Sequence, residues 1–409
     1  MHPILSALLR NKTGPLLVAV QVALSLAILA NALHIVQVRQ AVSNRESGIA
    51  REEDVFTLQL RHLEHSNHAA QLDAQRRETA ALKAVSGIQN VATTTQVPMS
   101  RSGNYSGLAL DRKQLTSSVS ATTYYSPDAL LATWGLQLRE GRDFQPGEVP
   151  EIDTTSSQDF PQSVIITRQL GEKLWPDQPS YLGKTVYYGT GEGAKELRVV
   201  GVLARLQSPG AQISEQSDYS IILPARLTGE DVTTYTLRAE PGQLQRVMKE
   251  SESAVRSASA TPVIVKLKTI SEFRRDRYRA DQALAWMLVT VSVLLLLITA
   301  SGIVGMASLW VTQRRKQIGV RRALGARRVD ILRYFITENL LITSAGVAAG
   351  VLLALALNQL LVSQLEMARL PAGYLRAGAA LFWALGVIAV YGPAWRAASI
   401  SPATATRST

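Results

Sequence analysis

Two long runs without charge, separated by a short and very basic segment, most constrain what this chain can fold into. Residues 282–313 and 339–365 contain no Asp, Glu, Lys or Arg, and each run is longer than the ~20 apolar residues that span a bilayer. Residues 313–335, between them, contain eight Lys or Arg. Two further uncharged runs cover 13–38 and 377–395. The sequence therefore predicts four membrane-spanning helices.

The positive charge of the chain marks topology and not a nucleic-acid partner. The formal net charge is +11, yet residues 39–281 contain 29 basic and 29 acidic residues and are neutral. The excess of Lys and Arg over Asp and Glu lies beside the apolar runs, as the positive-inside rule describes for cytoplasmic loops. The basic segment is therefore predicted to be cytoplasmic, which places 39–281 on the opposite side. Cysteine is absent, so disulfides and thiolate metal sites are excluded.

The first apolar run allows two readings, an uncleaved helix or a secretory signal peptide. Ala30-Asn31-Ala32 resembles a cleavage site, but the apolar run before it exceeds the roughly 7–15 residues of a signal peptide. The run also continues past that site. We interpret 13–38 as an uncleaved helix, preceded by a cytoplasmic interfacial segment at 1–12.

Hydrophobic patterning predicts an α+β domain between the first and second spans. Strand, helix and strand follow one another over 54–97, and again over 233–267. We predict that these two distant β-α-β units pair in one domain, with a β-rich insertion over 105–223 between them. Within the insertion, 153–162 is predicted to be an exposed loop.

The predicted fold class is an α-helical membrane protein with four transmembrane helices and a large extracytoplasmic α+β domain between helices 1 and 2. The predicted segments are a cytoplasmic interfacial segment 1–12, transmembrane helix 1 at 13–38, the outer domain 39–281, transmembrane helix 2 at 282–311, a cytoplasmic loop 312–335, transmembrane helix 3 at 336–365, a short outer link 366–376, transmembrane helix 4 at 377–395 and a cytoplasmic tail 396–409.

The basic segment has a helical pattern beyond its charge. Val320, Ala323 and Leu324 lie at positions i, i+3 and i+4, which places them in one apolar stripe. Gly325 is predicted to end that helix in the left-handed conformation. Asp330 is predicted in the first turn of the next helix, where its charge favours the helix dipole.

The amino-acid sequence of this segment resembles that of the MacB/FtsX-type permeases of ABC transporters. The matching residues are Arg314-Arg-Lys-Gln-Ile-Gly-Val-Arg-Arg-Ala-Leu-Gly-Ala-Arg-Arg-Val-Asp-Ile-Leu332, and Pro393-Ala-Trp-Arg-Ala-Ala-Ser-Ile-Ser-Pro-Ala403 is also similar. The region 39–281 resembles the MacB-type periplasmic core, for example at Val85–Ala92 and Leu138–Phe144. The resemblance implies a dimer of permease subunits that passes ATP-driven motion to the periplasmic domain, so-called mechanotransmission.

The resemblance also implies which residues meet the ATPase and where ATP binds. The residues assigned to the ATPase contact are Arg315, Ile318, Arg321, Arg322, Ala323, Leu324, Gly325 and Ala326. No cofactor is expected in this chain; ATP and Mg are expected on a separate ABC ATPase dimer. The other expected partners are a second permease subunit, identical or related, a periplasmic adaptor or membrane fusion protein, and the lipid bilayer of a bacterial inner membrane. No nucleic acid is expected.

Two other motifs resemble nucleotide-binding or metal-binding sites, and neither indicates an enzyme. Gly189–Lys195 is the nearest match to a phosphate-binding loop, but Ala194 separates Gly from Lys and a hairpin turn is predicted. His62, His65 and His68 recur every three residues, as metal ligands can, but a solvated polar stretch is the favoured reading.

Two features of the third span carry packing hypotheses. Gly346 and Gly350 have the small-xxx-small spacing that permits close helix approach. Glu338, at the inner end of the span, either pairs with arginines of the basic segment or lies among lipid headgroups, and the sequence favours neither.

Three functions fit the pattern. The first is a permease subunit that couples a separate ATPase to efflux or export. The second keeps the topology but regulates a cell-wall hydrolase, as FtsX does, or releases lipoproteins. The third is a membrane sensor or scaffold that works without ATP.

Overall fold

The computed structural model describes residues 13–64, 67–211, 214–365 and 369–399. The described chain forms two compact units: one joins the residues up to Ala41 with those from Asp281 onward, and the other is Val42–Ala280. The predicted interfacial segment 1–12, His65 and most of the predicted tail lie outside the described residues.

Helices make up the first unit and accompany the strands of the second. In chain order they are α1 (Thr13–Ser43), α2 (His68–Lys83), α3 (Leu130–Trp134), α4 (Arg168–Leu174), α5 (Leu244–Ala258), α6 (Ile270–Gln313), α7 (Arg315–Ala323), α8 (Arg328–Leu365) and α9 (Ala372–Ala398). Within the described part of the chain, α1, α6, α8 and α9 are long and apolar enough to cross a membrane. The prediction of four candidate membrane helices is confirmed.

Helix α6 is much longer than a bilayer crossing requires, since it has 44 residues. A capping box fixes its first turn. The Glu272 carboxylate accepts a hydrogen bond from the Thr269 backbone N–H at 2.9 Å, and the Glu272 backbone N–H donates to the Thr269 hydroxyl at 3.1 Å. The helix therefore begins twelve residues before the uncharged run that starts at Gln282.

The membrane-type helices pack around a shared apolar interior. This interior includes Val22, Leu26, Ile303, Ile342 and Phe382, all buried. Large apolar side chains also cover the outside of the same helices, as expected where the surrounding solvent is lipid. Only 17% of the apolar stretch of α6 is buried, whereas 56% of that of α1 is buried. Helix α1 is thus the most enclosed of the four.

The second unit contains the strands of the structure. They are β1 (Val55–His62), β2 (Ile88–Thr93), β3 (Tyr105–Ala109), β4 (Val119–Tyr125), β5 (Leu138–Gly141), β6 (Glu151–Asp153), β7 (Ser163–Thr167), β8 (Thr185–Tyr188), β9 (Lys195–Leu203), β10 (Ser220–Leu223), β11 (Arg226–Thr228), β12 (Val232–Ala239) and β13 (Val263–Thr269).

The two predicted β-α-β units share one sheet. Units β1-α2-β2 and β12-α5-β13 interleave in the strand order β13-β1-β12-β2. Strand β1 is antiparallel to both β12 and β13. It therefore lies between the two strands of the second β-α-β unit. The predicted pairing of the two units is confirmed. Because side chains alternate along a strand, Phe56, Leu58 and Leu60 pack with residues of α2 and α5 in one core, and Thr57 and Gln59 lie on the other face.

The insertion forms a second, seven-stranded sheet in the order β5-β9-β7-β10-β4-β3-β8, and a pairing between β8 and β9 closes it. Two sequence predictions need correction here. The exposed loop predicted from Asp153 begins one residue later, because Glu151–Asp153 forms β6 and pairs with β11. Strand β2 ends at Thr93 and not at Val97, because the chain turns where the Thr94 hydroxyl bonds to the Gln96 carbonyl at 3.0 Å.

Candidate functional site

The basic segment folds as a short helix with a defined end. Helix α7 is followed by Gly325, whose φ of 98° is left-handed. The Gly325 N–H donates to the Arg322 carbonyl and the Ala326 N–H to the Arg321 carbonyl, each at 3.1 Å. This pair of bonds is the Schellman motif, which satisfies carbonyls at the end of a helix. The predicted role of Gly325 as the helix terminator is confirmed.

The next helix starts almost at once, as the position of Asp330 indicates. Asp330 lies in the first turn of α8, and its carboxylate accepts a hydrogen bond from the Arg327 backbone N–H at 2.9 Å. A carboxylate there satisfies one of the free N–H groups and favours the helix dipole. The helix–Gly–helix corner expected from the sequence is therefore present.

One side of α7 is held against the other helices of the first unit. Ile318 is 4% exposed and packs in the same apolar cluster as Ala394 and Ala397 of α9. The Arg322 guanidinium donates to the carbonyl of Ala398 at 2.6 Å, at the end of α9. These contacts fix how α7 is rotated. They also turn Ile318, which the resemblance assigns to the ATPase contact, toward the interior of this chain.

The opposite side of α7 is an exposed apolar patch, formed by Val320, Ala323 and Leu324. Leu324 is 83% exposed and Val320 is 52% exposed, and Ala323 is exposed as well. Arg315 and Arg321 are also exposed on this helix. An exposed apolar patch with a polar rim is typical of a protein interaction site. The predicted stripe thus lies on the surface, with Arg322 and Ala326 half-buried at its edge.

An ion pair joins the start of α7 to the interior of α8. Arg314, the residue between α6 and α7, approaches both carboxylate oxygens of Glu338 with Nη1, at 2.7 and 3.0 Å. Glu338 is 1% exposed. Of the two readings left open for Glu338, pairing with a basic-segment arginine is therefore confirmed, and the headgroup position is wrong.

Tyr334, one turn before Glu338, extends this network. Its hydroxyl lies 3.4 Å from Arg314 Nη1, and the Arg321 guanidinium lies over its ring, 5.1 Å from the centroid. Such a cation–π contact contributes roughly 0.5–1 kcal/mol at an exposed site. Two arginines of the basic segment are thus tied to α8, and the orientation of α7 depends on them.

The two glycines singled out in the third span both lie against α1. A Cβ atom on Gly346 would come 2.7 Å from the Ala19 carbonyl oxygen, and one on Gly350 would come 3.0 Å from that of Ala23. Backbones approach this closely only where the side chain is absent.

Comparisons with known proteins assign the region that contains α7. Residues 289–402 match the family described as FtsX-like permease C-terminal. The macrolide export ATP-binding/permease protein MacB of Bradyrhizobium diazoefficiens is 31% identical over 244 residues. The chain therefore contains an FtsX-like permease domain and is similar to MacB proteins over part of its length.

The MacB-like chain aligns with only part of each curated relative. The Bradyrhizobium alignment covers 56% of this chain and 35% of the relative. The pyoverdine export ATP-binding/permease protein PvdT of Pseudomonas syringae pv. tomato is 29% identical, over 59% of this chain and 37% of its own length. The chain thus spans little more than a third of these relatives. Among solved structures, the extracellular domain of the ABC-type transporter YknZ aligns with 51% of this chain and 99% of that domain, at 16% identity and a TM-score of 0.33.

The phosphate-loop-like and histidine motifs belong to the unit Val42–Ala280, outside the matched residues 289–402. Gly189–Lys195 is the turn between β8 and β9, where Tyr188 and Lys195 are paired across a hairpin. That predicted turn is confirmed. His62 pairs with Glu78 at 3.0 Å, and His68 Nδ1 lies 2.6 Å from the Thr228 hydroxyl. The hydrogen bond that His62 donates to the Glu78 carboxylate raises the pKa of His62, and the described histidines bind separate partners.

The sequence prediction missed Arg314 and Tyr334 as members of the site. Arg314 is absent from the residues that the resemblance assigns to the ATPase contact, yet it is the residue that reaches the buried Glu338. A signal for the network exists in the sequence, because Tyr334 and Glu338 are four residues apart and share one face of a helix. That this face is turned toward Arg314 depends on the packing of α8, which the local sequence pattern does not determine.

Proposed function

We propose that this chain is the permease subunit of a MacB-like ABC transporter that serves efflux or export. The observation that carries the proposal is the apolar patch of Val320, Ala323 and Leu324 in the FtsX-like domain. This patch is exposed, while the rest of α7 is fixed by Ile318, Arg322 and the adjacent Arg314–Glu338 pair. A rigidly held apolar patch among arginines suits contact with a second protein.

The proposed partner at this patch is a separate ABC ATPase, which would hold ATP and Mg. Two observations support this choice. The relatives are named ATP-binding/permease proteins, and the patch lies in the FtsX-like domain, residues 289–402. The revised contact consists of Arg315, Val320, Arg321, Ala323 and Leu324 on the surface, with Gly325 and Ala326 shaping the corner.

The proposed location is the inner membrane of a Gram-negative bacterium, with the α+β domain in the periplasm. The support for this orientation is the charge distribution: the basic segment meets the positive-inside rule, and the region 39–281 is neutral. In this arrangement ATP-driven movement reaches the outer domain through the helices, with a second permease subunit and a periplasmic adaptor as the remaining partners.

The experiment is affinity purification of the tagged chain from its native membrane, with identification of bound ABC ATPase by mass spectrometry. Leu324→Asp is expected to remove the ATPase, since it puts a charge in the middle of the apolar contact. Leu115→Asp is the matched control, because Leu115 is 87% exposed but lies between β3 and β4. Retention of the ATPase by Leu324→Asp, or equal loss in both variants, would contradict the proposal.

A further inference from the structure

A polar groove of about 830 Å³ lies on the face of the four-stranded sheet that α2 and α5 leave open. Its floor includes Thr57 and Gln59 of β1, Thr234 of β12, and Lys266 and Lys268 of β13. The segment 100–104 stands along one side. The volume falls within the ~300–1,000 Å³ typical of small-molecule sites.

The side wall of the groove is held in place by the protein itself. The backbone N–H groups of Met99 and Arg101 donate to the carbonyls of Ser208 and Pro209, at 3.2 and 2.8 Å. Gln96, which is 6% exposed, accepts from the Asn104 N–H at 2.6 Å and donates to the Thr123 carbonyl at 2.7 Å. Because these hydrogen bonds hold the segment in place without a bound molecule, little conformational entropy of the groove is lost when a ligand binds.

The lining of the groove has cations and neutral hydrogen-bonding groups but no carboxylate. Lys268 is shared with Asp276, at 2.6 Å, and lies over the Phe273 ring. Lys266 and Gln59 face each other in register on β13 and β1. Among the described residues, no hydrogen-bond or ion-pair partner is found for the side chain of Lys266 or Gln59. The floor thus offers a free ammonium next to a free amide.

We propose that this groove binds a small anionic molecule that carries carboxylate and hydroxyl groups. The Lys266 ammonium neutralises a carboxylate of the ligand, and the Gln59 amide and the Thr234 hydroxyl hydrogen-bond its polar groups. The site is in the α+β domain and its occupation does not depend on the ATPase contact at α7.

The test is isothermal titration of the full chain in neutral-lipid nanodiscs with citrate, and with uncharged trimethyl citrate. Saturable binding of citrate, and none of the ester, is the expected result. Lys266→Gln should weaken citrate binding about ten-fold or more, because a hydrogen bond to a charged group is worth about 1.5–3 kcal/mol. Gln59→Leu, which leaves the charge unchanged, should weaken it about five-fold.

Lys249→Gln is the matched control, since Lys249 is exposed on α5, outside the groove. It removes the same charge and should leave citrate affinity unchanged. The proposal is overturned by absence of saturable citrate binding, by equal binding of trimethyl citrate, or by an equal loss in Lys249→Gln. Because no ATPase is needed, failure here is distinguishable from failure of the coupling proposal.

Discussion

Arg314 and Glu338 form an ion pair that fixes the junction between α6 and α7 against a buried residue of α8. Arg314 Nη1 is 2.7 Å from one carboxylate oxygen, and Glu338 is 1% exposed. A buried charge is tolerated only where a partner satisfies it. The pair therefore sets the position of α7, and with it the position of the exposed patch.

Removing one member of the pair is expected to be costly. Arg314→Met leaves the Glu338 carboxylate buried without its partner, and losses of ~3–5 kcal/mol are typical of that change. Thermal unfolding of the purified chain in detergent measures the effect. The double variant Arg314→Met/Glu338→Leu should recover most of the loss, because no charge then remains in the interior.

An exposed pair serves as the control. Arg246 and Glu250 on α5 are each 45% exposed, and Glu250→Gln should change stability by less than ~1 kcal/mol. If the double variant at Arg314 and Glu338 is as unstable as the single variant, the loss in Arg314→Met does not come from the unpaired carboxylate, and this explanation is wrong.

The contact of α8 with α1 predicts a sharp difference between two glycines. Gly346→Ala places a Cβ atom 2.7 Å from the Ala19 carbonyl oxygen, and overpacking of this kind costs about 1–3 kcal/mol. Gly305→Ala on α6 meets nothing within 4 Å and should be neutral or slightly stabilising, since Ala favours a helix. Unfolding midpoints in detergent decide the matter, and equal effects would refute the close approach.

The left-handed conformation of Gly325 predicts local loosening when a side chain is added. Gly325→Ala meets no atom within 4 Å, so its cost is conformational, about 1 kcal/mol. Hydrogen–deuterium exchange of the amides at 319–326 should accelerate about five-fold. Gly373→Ala, also in open space but without the positive φ, should leave exchange in this segment unchanged. An unaltered rate in Gly325→Ala would remove Gly325 as the determinant of the corner.

The His62–Glu78 pair predicts a pH dependence of stability in the α+β domain. Glu78 is 1% exposed and bonded to both His62 and Tyr235, and its hydrogen bond raises the pKa of His62 above 6.5. A raised pKa in the folded state gives stability that is fully present below about pH 6.5 and is lost as the pH rises through the folded-state pKa.

His62→Gln should therefore lower the unfolding temperature more at about pH 5.5 than at about pH 8.5. His68→Gln is the control, since His68 contacts Thr228 and not Glu78. The same loss at both pH values would show that protonated His62 does not stabilise the fold.

The sequence was sufficient for features that depend on local pattern. Uncharged runs located the membrane-type helices, and Gly325 and Asp330 marked the corner, because helix ends have local chemical requirements. The two β-α-β units were also recognised from periodicity. Their interleaved order, with β1 between β12 and β13, depends on contacts between distant residues.

The orientation of individual side chains was the part that local pattern left open. Ile318 lies within the same basic segment as Leu324, yet one is buried and the other 83% exposed. The packing of Ile318 with Ala394 and Ala397 of α9 buries that side of α7. For Glu338, likewise, the sequence allows two positions, and the contact with Arg314 decides between them. Tertiary packing, and not periodicity, selects which face of a short helix is free.

The most direct test of the central claim is photo-crosslinking from position 324 in the native membrane. A photoreactive amino acid at Leu324 reports what touches the exposed patch, and the same substitution at the equally exposed Leu115 reports background. The account predicts an ABC ATPase crosslinked from position 324 and not from position 115. Absence of an ATPase crosslink at 324, or the same crosslink from 115, would contradict it.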